Sequence, residues 1–127
     1  MFSHVTLGTN DWSRAEIFWD AVANTLKLPL LFKYDGGGAF GSLTGQKVII
    51  GPAFDGQTAT HGNGTHIAFL VPDRKTVDKF HAVAIEHGGQ DEGPPGLRPQ
   101  YHKNYYGAYV RDPDGNKIQA VCHSSKG

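Results

Sequence analysis

The stretch His66-Ile67-Ala68-Phe69 repeats the pattern of His4-Val5-Thr6-Leu7, which lies 62 positions earlier in the chain. In both stretches a histidine opens a run whose side chains alternate in polarity, as they do on the two faces of a half-buried β-strand. Two further identities fall in the same frame, Asp11 with Asp73 and Phe18 with Phe80. The chain is therefore predicted to contain two copies of one module, facing each other so that the two histidines point into a shared cleft.

The composition is that of a globular protein and gives no sign of a nucleic-acid or membrane partner. The chain has 127 residues, 39% of them hydrophobic and 19% charged, which suits one domain. Lysine plus arginine and aspartate plus glutamate both number 12, so no net charge attracts nucleic acid or an anionic membrane. No apolar run approaches the roughly 20 residues that span a bilayer. Because the sequence has one cysteine and opens without a charged, apolar leader, we expect a cytoplasmic protein.

The first module, residues 1–51, is predicted to have the order β-α-β-β-β. Phe2 to Thr9 alternates as a strand, and the helix after it contains Ser13 and Glu16 at capping-box spacing. The apolar stripe of this helix recurs every three or four residues, at Ala15, Phe18, Trp19, Val22 and Leu26. Three short strands separated by turn sequences follow, Leu30 to Tyr34, Gly38 to Leu43 and Lys47 to Gly51. The strands supply a sheet for the helix to cover.

A linker, residues 52–64, precedes the second module, residues 65–123. This module begins with a strand, Thr65 to Val71, and continues with a helix capped by Asp73. The segment from Gly93 to Pro99 is interpreted as a functional loop, because its prolines lack backbone donors and its glycines favour turns. A hairpin ends the module, with strands Tyr105 to Arg111 and Asn116 to His123 around the turn Asp112-Pro113-Asp114-Gly115.

These motifs together resemble the vicinal oxygen chelate superfamily, the group of glyoxalases, bleomycin-resistance proteins and extradiol dioxygenases. The resemblance rests on the strand-borne histidine of each module and on the run from Asp112 to Ile118. It is strongest to small glyoxalase-like proteins with a Gly-Pro-Pro-Gly-Leu-Arg loop and a Tyr-Tyr strand. The resemblance implies an α+β fold, in which two βαβββ modules pair into a cupped mixed sheet with the helices outside. It also implies a homodimer and a divalent metal inside the cup.

In this superfamily the metal ligands come from the first and last strands of each module. The resemblance assigns the first-strand positions to His4 and His66. The last strand of the second module commonly carries Glu where this chain has Gln119, and aligning Gly45-Gln46-Lys47 with Gly115-Asn116-Lys117 puts Ile49 at the fourth position. Strand parity turns His4, His66 and Gln119 towards the cup. We therefore expect a weakened site for zinc, nickel, cobalt, manganese or iron, or no metal at all.

The missing glutamate also affects the expected chemistry. Lactoylglutathione lyase activity needs a base beside the metal to move a proton, and neither Gln119 nor Ile49 supplies one. His102 is the candidate substitute, because its segment is expected to overhang the cup and histidine titrates near neutral pH. Candidate substrate-binding side chains with oriented donors are Arg98, Tyr101 and Tyr105. Because neighbouring strand residues point oppositely, only one of Tyr105 and Tyr106 should face the cup.

Two functions from different classes remain open at this point. The first is a metal-dependent enzyme of lyase or isomerase type, which the paired histidines favour. The second is a metal-free protein that binds or sequesters a small molecule, in the manner of bleomycin-resistance proteins, which Ile49 and Gln119 favour.

Overall fold

The computed structural model describes all residues, 1–127, and its order of elements is β-α-β-β-β twice over. The first module contains β1 (His4–Gly8), α1 (Trp12–Thr25), β2 (Leu30–Tyr34), β3 (Gly37–Gly41) and β4 (Lys47–Gly51). The second contains β5 (His66–Leu70), α2 (Arg74–Glu86), β6 (Gln90–Leu97), β7 (Tyr106–Arg111) and β8 (Lys117–Cys122). The predicted fold class, α+β with two βαβββ modules, is confirmed.

The two modules have the same topology. One four-stranded sheet has the order β1-β4-β3-β2 and the other β5-β8-β7-β6, so each is mixed, with one parallel pair between its first and last strands. The registers also match, because His4 pairs with Lys47 and His66 with Lys117. β1 and β5 are both edge strands, and no backbone hydrogen bond joins one sheet to the other.

Each helix begins at an aspartate. The side chain of Asp73 accepts from the backbone N–H of Thr76 at 2.9 Å, as predicted for the second helix. In the first helix Asp11 accepts from the N–H of Arg14, so the Ser13–Glu16 capping box predicted from spacing is wrong. Asp11 precedes Ser13 and already satisfies a free donor of the first turn, which places Ser13 inside the helix.

A single hydrophobic core joins the modules through their helices. It contains Phe18, Trp19 and Val22 from α1 together with Val77 and Phe80 from α2. The sheets contribute alternate residues to this core, among them Val48, Ile50, Ile118 and Ala120. Each sheet therefore has one helix-facing side and one side turned away from the helices, which we call its open face.

A buried carboxylate at the β7–β8 turn links the modules. Asp112 is 2% exposed and accepts from Trp19 Nε1 of the first module at 3.1 Å. It also accepts from the side chain of Asn116, whose amide donates in turn to the backbone oxygen of Gly8 at 2.9 Å. Burial raises the pKa of Asp112 above its ordinary value, while the hydrogen bonds it accepts oppose that rise.

The segment interpreted as a loop, Gly93 to Pro99, is instead mostly strand. β6 runs through it as the edge strand of its sheet, and its pairing with β7 skips between Gly93 and Gly96. Pro94 and Pro95 lie in this skipped stretch, where no ladder donor is required of them. The repeat of the first module therefore continues where the prolines had suggested a departure from it.

Neither helix has the length and apolarity needed to cross a bilayer.

Candidate functional site

The open face of the second sheet carries most of the predicted site residues. Register places Ala68 beside Gln119 and Gln119 beside Tyr109, so these three lie in one row across β5, β8 and β7. The next row contains His66, Lys117 and Arg111. The segment after β6 adds Arg98 and Tyr105 from the side. We call the group of His66, Arg98, Tyr105, Tyr109, Lys117 and Gln119 the module-two face.

Gln119 lies at the centre of the module-two face and is 1% exposed. Its Nε2 donates to the hydroxyl of Tyr105 at 2.6 Å, which meets the requirement that a buried amide be hydrogen-bonded. Its Oε1 accepts no hydrogen bond from the protein, and it is not among the polar atoms that are completely buried without a partner. This oxygen is therefore left without a hydrogen-bond partner within the chain.

Tyr109 lies between two cations. The guanidinium of Arg98 is 5.6 Å from the centre of its ring and the ammonium of Lys117 is 5.2 Å away, both within cation–π range. Burial and the neighbouring hydroxyl of Tyr105 raise the pKa of Tyr109 to about 12. The phenol is therefore a neutral donor at physiological pH.

His4 and His66 line the same cavity, of about 480 Å³, which lies between the free edges of β1 and β5. His4 is exposed, and its Nδ1 lies 2.8 Å from the hydroxyl of Ser3. His66 is also exposed, and its ring lies edge-on to Tyr109 at 6.1 Å between centres. The cavity is otherwise mostly apolar, and none of its lining residues is a carboxylate.

The donors present do not fit a divalent cation. No group of three His, Cys, Asp or Glu side chains comes together in the structure. Lys117 is the direct cross-strand partner of His66, and Lys47 is that of His4, so an ammonium group shares a face with each imidazole. Ile49 pairs with Thr6 as Gln119 pairs with Ala68, so the two residues hold equivalent register positions in their sheets. Two lysines with no carboxylate disfavour a cation between these histidines.

His102 lies beside Tyr105, with both ring nitrogens engaged. Its Nδ1 accepts from the backbone N–H of Asn104 at 3.1 Å, and its Nε2 lies 3.0 Å from Nδ1 of His123. Both imidazoles are exposed and pack against the Tyr105 ring. The ring of Tyr101 lies 4.8 Å from that of Tyr105 between centres and is tilted to it by 55°. His123 was assigned no role from the sequence, and the contact across 21 residues could not be read from it.

The prediction that Tyr105 and Tyr106 point to opposite sides is confirmed. Tyr105 contacts Gln119 on the module-two face, whereas the hydroxyl of Tyr106 donates to Asp78 of α2 at 2.6 Å. That hydrogen bond raises the pKa of Tyr106.

Sequence reasoning missed Tyr109 and Lys117 as members of the site. Lys117 shares the parity of Gln119, so its position on the open face was already implied by the alternation of β8. Tyr109 needed the register between β7 and β8, which the hairpin turn fixes only once its type is known.

The fold and the site together define a class of two-module proteins that have polar side chains on an open sheet face and a cavity between the modules. The model of the Glyoxalase/Bleomycin resistance protein/Dioxygenase superfamily matches residues 1–120, and the chain belongs to that superfamily. A search of curated proteins finds no match.

Solved structures agree with this assignment. The chain is similar to a glyoxalase/bleomycin resistance protein from Albidiferax ferrireducens T118, with 40% identity, a TM-score of 0.87, and coverage of 96% of this chain and 98% of that one. A glyoxalase-related enzyme from Fulvimarina pelagi is 19% identical, with a TM-score of 0.76 over 96% and 87% of the two chains. A lactoylglutathione lyase from Agrobacterium tumefaciens is 19% identical, with a TM-score of 0.66 over 96% and 92%. At these lower identities the likeness extends to the fold alone.

Proposed function

We propose that this chain binds a small oxygenated organic molecule on the module-two face without a resident metal ion. The observation that carries the proposal is Gln119, a buried amide held by Tyr105 with its carbonyl oxygen free. A neutral amide offers a ligand a hydrogen-bond acceptor without the charge that would hold a cation. This is the mode expected of a bleomycin-resistance type of protein, and the similar Albidiferax ferrireducens protein is described as a glyoxalase/bleomycin resistance protein.

A metal-dependent lyase or isomerase is the second candidate. The specific observation in its favour is that His4 and His66 line one cavity. The candidate metals are zinc, nickel, cobalt, manganese and iron, with His4, His66 and Gln119 as ligands and His102 as the base. The lysines opposite the two histidines and the absence of a carboxylate weigh against it.

We further propose that two copies of the chain form a homodimer. Large apolar side chains are exposed on the strands, including Leu70, which is 73% exposed on the open face of β5. Others are Phe32 and Leu30 on β2, Val5 on β1 and Leu97 on β6. Six of the thirteen exposed large apolar side chains lie on strands, and exposed apolar surface is typical of a protein–protein interface.

Ligand-induced stabilisation tests the proposed function. Thermal unfolding is measured with a panel of small oxygenated molecules, once with EDTA and once with zinc. A ligand present at 100 times its Kd stabilises the folded state by about 2.7 kcal/mol. The proposal predicts that at least one compound stabilises the protein equally in both conditions, and stabilisation seen only with zinc would favour the enzyme.

A matched pair of variants locates the site. Tyr105→Phe removes the hydroxyl that holds Gln119, whereas Tyr34→Phe removes a hydroxyl that contacts only a backbone oxygen in the first module. We expect the first variant to lose the stabilisation and the second to keep it. Equal loss in both would place the ligand elsewhere.

A further inference from the structure

We propose that the ligand of the module-two face carries an anionic group, a carboxylate or a phosphate, bound by Arg98 and Lys117 beside the ring of Tyr109. This inference rests on the proposed function and specifies the chemistry of its ligand. The charges on the module-two face do not cancel.

Two cations on the face have no carboxylate partner. Arg98 and Lys117 take part in none of the salt bridges of the structure, and Arg111 on the same side is neutralised by Glu92 at 3.0 Å. Asp91, the other acid of β6, pairs with His81 of α2 at 2.8 Å and so belongs to the helix side. The face therefore has two uncompensated positive charges.

These two charges lie beside the same aromatic ring. Both lie within 5.6 Å of the centre of the Tyr109 ring, one as a guanidinium and one as an ammonium. Two uncompensated positive charges on one face favour a negative charge beside them, which an anionic ligand would supply. The ring gives each cation some compensation, but a neutral phenol does not remove the charge.

The donors on the face are available to such an anion. Arg98 uses one proton on each terminal nitrogen for the backbone oxygens of Pro94 and Leu97, at 2.7 and 3.5 Å, which leaves its Nε–H and two further protons free. Those two carbonyls also orient the guanidinium. The raised pKa of Tyr109 keeps its hydroxyl protonated as an additional donor.

The first module supplies an internal comparison. Lys47 has the position in the first sheet that Lys117 has in the second. The pair Tyr109 and Gln119 of the second sheet corresponds to Ala39 and Ile49 in the first. The open face of the first sheet therefore has no phenol or amide at these positions. The anion site is a property of one module and not of the shared fold.

The test uses NMR titration of the full-length protein with four probes: benzoate, phenyl phosphate, benzamide and inorganic phosphate. Benzamide has the shape of benzoate without its charge. We expect benzoate or phenyl phosphate to shift the amide resonances of β7 and β8, and benzamide to bind at least tenfold more weakly. A preference between the first two identifies the anion as carboxylate or phosphate, and inorganic phosphate shows whether the aromatic body is needed.

Variants connect the binding to the proposed charges. Lys117→Gln should weaken binding of the preferred anion at least tenfold, Lys117→Arg should retain it, and Lys79→Gln, an exposed change of equal charge on α2, should leave it unaltered. Benzamide binding as tightly as benzoate, unaltered binding by Lys117→Gln, or no shift with either anion would overturn the inference. Neutral compounds that still stabilise the protein through Tyr105 would leave the proposed function standing, so the two failures are distinguishable.

Discussion

Gln119 shows how one residue changes what a site can hold. An amide and a carboxylate have nearly the same shape, but only the carboxylate contributes negative charge to a metal site. The amide also donates, and its hydrogen bond to Tyr105 ties a side chain from outside the strand to the middle of the open face. Gln119 is therefore a fixed, uncharged polar group on the open face.

Gln119→Glu should restore affinity for a divalent metal. The new carboxylate joins His66 on the same face and supplies the missing negative charge, so we expect zinc affinity to rise by more than about tenfold, or roughly 1.4 kcal/mol. Competition titration with a zinc indicator measures it. Gln57→Glu, in the exposed linker, is the control for nonspecific charge and should change nothing. An unchanged zinc affinity in Gln119→Glu would remove this residue from any metal site.

The two perturbed tyrosines predict a pH dependence. Among five tyrosines, Tyr106 and Tyr109 have raised pKa values in the folded state, the latter about 12. As the pH rises, these two phenols ionise in the unfolded chain before they ionise in the folded one, which favours unfolding. The stability that the two tyrosines contribute is therefore present below pH about 10 and is lost as the pH rises towards 12.

Tyr109→Phe tests this pH dependence, because it leaves the ring and removes the ionisation. The free energy of unfolding should fall less steeply above pH 10 in the variant, and an ultraviolet titration should lose one late-ionising phenol. Loss of a phenol that ionises near the ordinary pH of about 10, and not of a late-ionising one, would show that the pKa of Tyr109 is not raised.

At the scale of the elements, alternation in the sequence predicted most of what the structure contains. The strands Leu30–Tyr34 and Lys47–Gly51 have their predicted bounds, and the helix stripe centred on Phe18 and Trp19 is buried. These features depend on neighbours in sequence, where period and turn residues are sufficient. The edge strand β6 was missed because its prolines indicate a break, and only the edge position of the strand makes them acceptable.

The link from Asp112 to Trp19 belongs to the features that sequence could not predict. The turn containing Asp112 was recognised, but its partner lies 93 residues away in the other module. A contact of this kind is fixed by how the two modules pack. The same holds for His102 with His123 and for the position of Tyr109, which is why the candidate site was predicted only in part.

Asp112→Asn should destabilise the protein. The carboxylate accepts from Trp19, Asn116 and the backbone of the turn through both oxygens, and an amide turns one of these acceptors into a donor. We expect a loss of about 2–3 kcal/mol, the cost of unsatisfied buried groups. Urea unfolding followed by tryptophan fluorescence measures it. Asp55→Asn, in an exposed turn, should cost little, and a loss of equal size there would contradict the linking role of Asp112.

At the scale of the whole molecule, the modules join through their helices and leave their open faces uncovered. The core contains residues from both helices and both sheets, whereas Leu70 and Phe32 remain exposed on the strands. The first and second sheets are also not hydrogen-bonded to each other, so β1 and β5 retain free edges. A second copy of the chain can cover both features at once.

Leu70→Asp should weaken the proposed homodimer. A carboxylate on the exposed part of β5 would be desolvated in an interface, so sedimentation velocity should show a larger monomer fraction than wild type. Ile17→Asp, an exposed change on α1 at the helix side, is the matched control and should leave the dimer intact. A wild-type monomer at micromolar concentration, or equal effects of the two variants, would contradict the proposal.

The absence of a resident metal is tested by the metal content of protein purified gently without chelator, determined by elemental analysis. Because the module-two face has two free cations and an amide where a carboxylate would be needed, we predict far less than one bound transition metal per chain. A stoichiometric amount of zinc, nickel, cobalt, manganese or iron would contradict metal-free binding and favour the metal-dependent enzyme.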